Sequence, residues 1–296
     1  MSAAAARQAG GFAARYRAAV SARGRLCVGI DPHAELLEQW GLPVDAAGLA
    51  RFGEICVEAF GPVAAVIKPQ VAFFEAFGSA GFAVLESVIA GARAAGALVI
   101  ADAKRGDIGS TMAAYAHTWL ADSSPLSADA VTASPYLGFG SLAPALDAAR
   151  AGGRCVFVLA RTSNPEGAEI QLAATHAASD NPAADHPGPA VSVAQRIVEH
   201  AARHNADGLA ALGLVVGVTR AHGLDLSAVH GPILAPGLGA QGASPADVST
   251  VFAGADPAWV LPASSRGVLR AGPDVAALAA EYARTRDQVE AALRGV

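Results

Sequence analysis

Eight short apolar runs, at 26–30, 64–67, 98–101, 130–133, 155–160, 214–218, 233–235 and 259–261, set the rhythm of this chain. Each is rich in branched or small apolar residues and short, which reads as a fully buried strand, with a buried helix segment the alternative that periodicity alone leaves open. Most gaps between them carry one helical pattern, at 47–60, 82–95, 110–120, 140–149 and 191–204, and the stretch 273–293 closes the chain. Strands alternating with helices pair in parallel through right-handed crossovers. Eight such units in 296 residues predict an α/β protein folded as one (β/α)8 TIM barrel domain spanning 1–296. A doubly wound open sheet is the alternative, but no GxGxxG follows the first run. A content of 53% hydrophobic and only 16% charged residues suits a compact barrel with a large core.

Charge and cysteine usage narrow the function. A net charge of −5 without a basic block gives no footing for nucleic acid. No apolar stretch reaches the roughly 18 residues of a membrane span. Cys27, Cys56 and Cys155 are odd in number and form no CxxC, as expected of reduced core thiols in a cytoplasmic protein. Residues 1–30 hold five arginines and no acid, the composition of an organelle transit peptide. Phe12, Tyr16 and Val20, however, recur at i, i+4, i+8, which predicts an amphipathic helix docked beneath the barrel, with 1–8 frayed.

One gap is out of proportion. More than 50 residues separate Ala160 from Leu214, and 163–190 is expected to be an insertion acting as a lid. His176, His186 and His204 in this gap lack metal-ligand spacing with Cys or Glu and read as solvated, so no metal site is expected.

The chemistry gathers after the third run, in Asp102-Ala103-Lys104-Arg105-Gly106-Asp107-Ile108. If the strand stays extended, Asp102 and Lys104 share a face; Asp107 then lies in a loop before a helix capped by Ser110 or Thr111. Of 21 basic residues, all but Lys68 and Lys104 are arginine, and both lysines follow strand-like runs. Lysine can give up a proton where arginine cannot. A structural ion pair is the better explanation of an isolated lysine; the carboxylates flanking Lys104 turn the balance towards chemistry. Asp31, Ser134, Arg161 to Ser163, 236–241 and 264–267 follow other runs and would share the C-terminal rim, where barrels carry their sites. Gly237, Gly239 and Gly242, with Gln241 and Arg266, read as a phosphate site whose glycine amides approach the anion.

The stretch 102–111 closely resembles the signature of the orotidine 5′-phosphate decarboxylase family. Lys68-Pro-Gln-Val-Ala-Phe-Phe-Glu75, the Ala-Arg-Thr-Ser-Asn-Pro segment and Pro262-Ala-Ser-Ser-Arg-Gly267 are similar to its longer, second type. The resemblance covers about 12–290. It implies decarboxylation of orotidine 5′-phosphate to UMP, in pyrimidine biosynthesis, without metal or organic cofactor. It further implies a charged tetrad of Lys68, Asp102, Lys104 and Asp107, with Lys104 the proton donor. Asp31 would bind the ribose, Ser163 the pyrimidine, and Gln241 and Arg266 the phosphate, with Ser265 beside them. Shorter members often have Gly where Ser265 stands, and their lid is placed differently. Asp107, Ile108 and Thr111 would reach into a neighbouring subunit's site, making a homodimer with shared active sites. Alternatives are a Mg²⁺-dependent phosphosugar decarboxylase or synthase of the same superfamily, a Schiff-base aldolase, and a silent nucleotide-binding barrel.

Overall fold

A computed structural model describes residues 11–175, 190–219, 221–239 and 242–294. Eight parallel strands close into a barrel: β1 (Cys27–Ile30), β2 (Val66–Pro69), β3 (Leu98–Arg105), β4 (Ala130–Ala133), β5 (Cys155–Arg161), β6 (Leu212–Val216), β7 (Ile233–Pro236) and β8 (Val260–Ser264). Each strand pairs with its sequence neighbours, and β8 closes on β1 with Cys27 opposite Ala263. All eight predicted runs are therefore strands. Several boundaries move: Lys68 and Asp102 lie inside β2 and β3 rather than beyond them, because the ladder continues from Ile30 to Pro69 and from Arg105 to Ala133.

Alternation along each strand builds two apolar layers. Val28, Ile67, Val99, Val131 and Val158 face the surrounding helices. Cys27, Val66, Leu98, Ile100, Ala130, Cys155, Phe157 and Leu261 fill the barrel interior. The same alternation carries the inward series upward to Gly29, Lys68, Asp102 and Thr132, so polar chemistry sits on an apolar floor.

The N-terminal helix Gly11–Arg23 seals that floor, as its spacing predicts. Phe12 meets Phe157 edge-on at 6.4 Å, and Tyr16 stacks on Trp259 at 5.5 Å. Arg15 ties it to Asp129 at 2.5 Å and to the Gly153 carbonyl at 2.8 Å. The expected frayed segment 1–8 lies outside the described residues.

Other expectations shift. The helix predicted at 140–149 is a 3₁₀ turn, Phe139–Leu142, followed by the helix Ala143–Gly152, with Pro144 in its first turn. The helix predicted from 191 begins at Val193, because Val191–Ser192 pairs antiparallel with Ala174–Thr175 and the Ser192 hydroxyl then caps it. The insertion is thus partly ordered structure, with a short helix at Ala168–Gln171. The region 176–189, the rest of the expected lid including His176 and His186, lies outside the described residues. His204 lies on a surface helix, where its carbonyl accepts from Arg150. Among the described residues no group of three or more His, Cys, Asp or Glu could hold a metal ion. No described helix is long and apolar enough to cross a membrane. The three cysteines are free and buried, and burial above all pushes the Cys27 thiol up to about 12.

Candidate active site

A cavity of about 480 Å³ opens at the C-terminal mouth of the barrel. That is the size of a small-molecule site. Its lower wall is the inward tier of the strands. Lys68 from β2 donates to Asp102 Oδ2 at 2.9 Å, and Lys104 donates to Asp102 Oδ1 at 2.7 Å. The two lysines differ in access: the Lys68 side chain is 7% exposed and that of Lys104 is 44% exposed. Lys68 lines the cavity as a largely buried counter-charge, whereas Lys104 presents a far more open side chain to it.

Lys104 does not reach this place by simple alternation. Its φ is +47°, in the left-handed region that side chains disfavour, and the β3–β4 register slips between Ala101 and Arg105. The strand is bulged, and the bulge swings Lys104 back over Asp102. The expectation of an extended strand to Lys104 is corrected accordingly.

Two residues that sequence reasoning missed complete the carboxylate's shell. Thr132 donates to Asp102 Oδ1 at 2.9 Å. Gln70, with its amide oriented to satisfy its neighbours, donates to Asp102 Oδ2 at 2.5 Å and accepts from Lys104 Nζ at 3.3 Å. Both were open to discovery: Gln70 stands two positions beyond Lys68, on the same face, and Thr132 carries the hydroxyl of an otherwise apolar strand.

Burial penalises the Asp102 carboxylate, but Lys68 and Lys104 outweigh that penalty and hold its pKa well below the usual carboxylate range. Burial likewise works against the Lys68 charge, yet Asp102 and Asp31 raise its pKa above that of ordinary lysine. The depressed carboxyl contributes stability above its unfolded pKa of about 4, and that contribution is lost as pH falls towards the folded value. The raised ammonium contributes below about pH 10 and loses its contribution only as pH rises past its elevated value. Asp102→Asn strands two ammoniums and is expected to cost about 3 kcal/mol at neutral pH. Urea unfolding midpoints should show the gap steady between about pH 5 and 8 and shrinking below about pH 4.

The upper wall comes from the loops. Asp31 follows β1, and its Oδ1 is buried without a hydrogen-bond partner among the described residues. Thr162, Ser163 and Asn164 follow β5; Gln171 accepts from the Thr162 amide at 3.0 Å and fixes that loop. Leu159, Val215, Leu234 and Ala263 give the cavity an apolar side. Across it stand Gly237, Leu238, Ser265 and an exposed Arg266. Gly29 makes room for Ser265, since a Cβ there would lie 1.8 Å from the serine Oγ.

Several rim expectations are corrected. Gly239 and Gly242 use their amides inside the loop, bonding to the Ala243 and Gly239 carbonyls at 2.8 Å each, so these glycines shape the turn instead of facing an anion. Gln241 lies outside the described residues. Ser134 and Arg161 do lie on the rim, after β4 and at the end of β5, but Ser134 lines a neighbouring hollow with Tyr136 and Phe139, and Arg161 bonds Gln171 instead of entering the cavity. Neither Ser110 nor Thr111 caps the following helix, Gly109–Leu120: Ile108 occupies the N-cap position and its amide donates to Asp107 Oδ1 at 2.7 Å. Asp107, Ile108 and Thr111 do not line this chain's own cavity, and Ile108 is 62% exposed.

Fold and site together define a class: a (β/α)8 barrel enzyme with a lysine–carboxylate centre facing an arginine-bearing loop across one pocket. Known proteins make the assignment specific. The family described as orotidine 5′-phosphate decarboxylase / HUMPS matches residues 24–281. The orotidine 5′-phosphate decarboxylase of Salinispora arenicola is 56% identical, covering 96% of this chain and 99% of its own. That of Streptomyces coelicolor is 55% identical over 90% and 92%. A crystal structure from Streptomyces avermitilis, provisionally identified as the same enzyme, superposes with a TM-score of 0.87 at 53% identity, covering 96% of both chains. The chain belongs to the orotidine 5′-phosphate decarboxylase / HUMPS family.

Proposed function

We propose that the chain decarboxylates orotidine 5′-phosphate to UMP, with the Lys104 ammonium as the acid that protonates C6. The observation that carries this reading is the asymmetry of the two lysines: both line the cavity and bond to Asp102, but the Lys104 side chain is 44% exposed and that of Lys68 only 7%. The C6–carboxylate bond breaks, CO₂ leaves, and the electron pair remains on C6 in an sp² orbital that no ring carbonyl can delocalise. Lys104 Nζ then gives a proton to C6, and the neutral amine recovers one from water.

Accelerations of this kind correspond to roughly 23 kcal/mol. Repulsion between Asp102 and a substrate carboxylate about 4 Å away, at an effective dielectric of about 20, supplies only about 4 kcal/mol. The larger share falls to the fixed ammonium facing the developing anion. Binding energy from the distant phosphate on Arg266 supplements it by fixing the ring. Asp31, with an unpartnered Oδ1, suits a ribose hydroxyl, and Ser163 suits the pyrimidine edge. Both Asp102 oxygens are turned to N–H and O–H donors, which favours this reading over a Mg²⁺-bound enediolate.

The protein works as a homodimer in this reading, each subunit lending Asp107, Ile108 and Thr111 to its partner's cavity. Exposed apolar side chains beside that loop support it: Ile108 after β3, and Tyr136 and Leu137, 75% and 52% exposed, after β4. Buried free thiols suit a cytoplasmic setting. Incubation of EDTA-treated protein with orotidine 5′-phosphate should release CO₂ and UMP in equal amounts. Binding of UMP without CO₂ release would point to a silent nucleotide-binding barrel, and activity abolished by EDTA would point to the phosphosugar branch.

A further inference from the structure

The bulge that delivers Lys104 leaves a gap in the β3–β4 ladder. Ala101 pairs with Val131 and Arg105 with Ala133, so three residues of β3 stand opposite Thr132 alone. The Lys104 amide therefore needs a partner from outside the regular ladder. It finds the Thr132 side chain, donating to Oγ1 at 2.8 Å. The same hydroxyl donates to Asp102 Oδ1 at 2.9 Å, and that oxygen accepts from Lys104 Nζ at 2.7 Å. A closed ring results: Lys104 amide, Thr132 hydroxyl, Asp102 carboxylate, Lys104 ammonium. Both ends of one lysine are held through a single hydroxyl.

The polarity of that hydroxyl is fixed. A threonine OH has one proton, and here it goes to the carboxylate while a lone pair takes the amide. Thr132 is 1% exposed, so water does not substitute for it. A non-glycine residue persists in the left-handed region only where its surroundings over-determine it, and such strain concentrates at functional sites. Nothing about the fold of β4 demands a hydroxyl at this position, since Ala130, Val131 and Ala133 around it are apolar.

We propose that Thr132 is a positioning residue: its hydroxyl locks the Lys104 backbone in its strained conformation and holds the ammonium at the height where it meets the reacting carbon. The proposal rests on Lys104 being the proton donor. It assigns Thr132 no contact with the ligand, so the residue acts on the chemical step and not on binding.

Thr132→Val keeps the shape and removes the hydroxyl. It is expected to lower kcat by about 10²-fold, the scale of a misplaced catalytic group. Affinity for UMP, measured by calorimetry, should stay within about threefold, a shift of under about 1 kcal/mol. Thr132→Ser restores the hydroxyl and is expected to recover most of the wild-type kcat, whereas Thr132→Ala should fall with the valine variant. Thermal midpoints measured alongside separate folding from chemistry. A valine variant with unimpaired kcat overturns the proposal, as does a serine variant no better than valine. A parallel loss of UMP affinity also overturns it, since it would mark a general collapse of the site. Wild-type protein that releases no CO₂ from orotidine 5′-phosphate overturns the proton-donor reading and this proposal together; an active wild type with an indifferent Thr132 overturns this proposal alone.

Discussion

Replacing Lys104 with alanine is expected to lower kcat by about 10⁴-fold or more while UMP still binds. Two effects are lost at once: general acid catalysis, worth about 10² to 10⁴, and a preorganised charge facing the carbanion, worth a comparable factor. Phosphate binding is expected to survive because the proposed contacts, Arg266 and Gly237, sit on the loops after β8 and β7, on the far side of the closed barrel from β3. Folding should survive as well. The Lys104 side chain is 44% exposed, and Asp102 keeps its bond to the buried Lys68 at 2.9 Å. Steady-state CO₂ release, with UMP affinity measured on the same preparation, checks both halves. A variant that keeps most of the wild-type rate removes Lys104 from the mechanism.

The second large effect is a recovery from inactivity. Asp107→Ala and Lys104→Ala proteins, each inactive alone, are expected to regain activity when mixed and allowed to exchange subunits. In a mixed dimer one site has lost both residues and the other has kept both. Random reassortment of a two-fold dimer therefore restores roughly a quarter of the wild-type sites. The motivation is geometric: Asp107 does not line the cavity of its own chain, and Ile108 beside it is 62% exposed. No recovery despite demonstrated subunit exchange would place Asp107 outside any shared site.

The rhythm of apolar runs was sufficient to read the barrel, because each strand is buried on both faces and so lacks any competing pattern. The seal beneath it was legible from Phe12, Tyr16 and Val20 for the same reason: one apolar stripe needs one apolar surface. The central ion cluster was legible from Asp102, Lys104 and the scarcity of lysine. What stayed hidden depends on register between strands far apart in sequence. The bulge at Lys104 arises only when β3 is laid against β4, and neither strand announces it alone. Thr132 is an ordinary β-branched residue until that slip leaves an amide for it to satisfy. The room that Gly29 gives Ser265 likewise exists only once β8 closes on β1. The glycine loop misled in a further way. Its positive φ values, +79° at Gly239 and +94° at Gly242, belong to a turn in which the amides of these two glycines bond to carbonyls of the loop itself.

The placement of one ammonium against one carbon is the core of this account, and a crystal structure of the UMP complex tests it most directly. With phosphate on Arg266, Lys104 Nζ is expected within roughly 3.5 Å of pyrimidine C6 and still bonded to Asp102. A uracil ring whose C6 faces another part of the wall, with Lys104 turned away from it, would contradict the account.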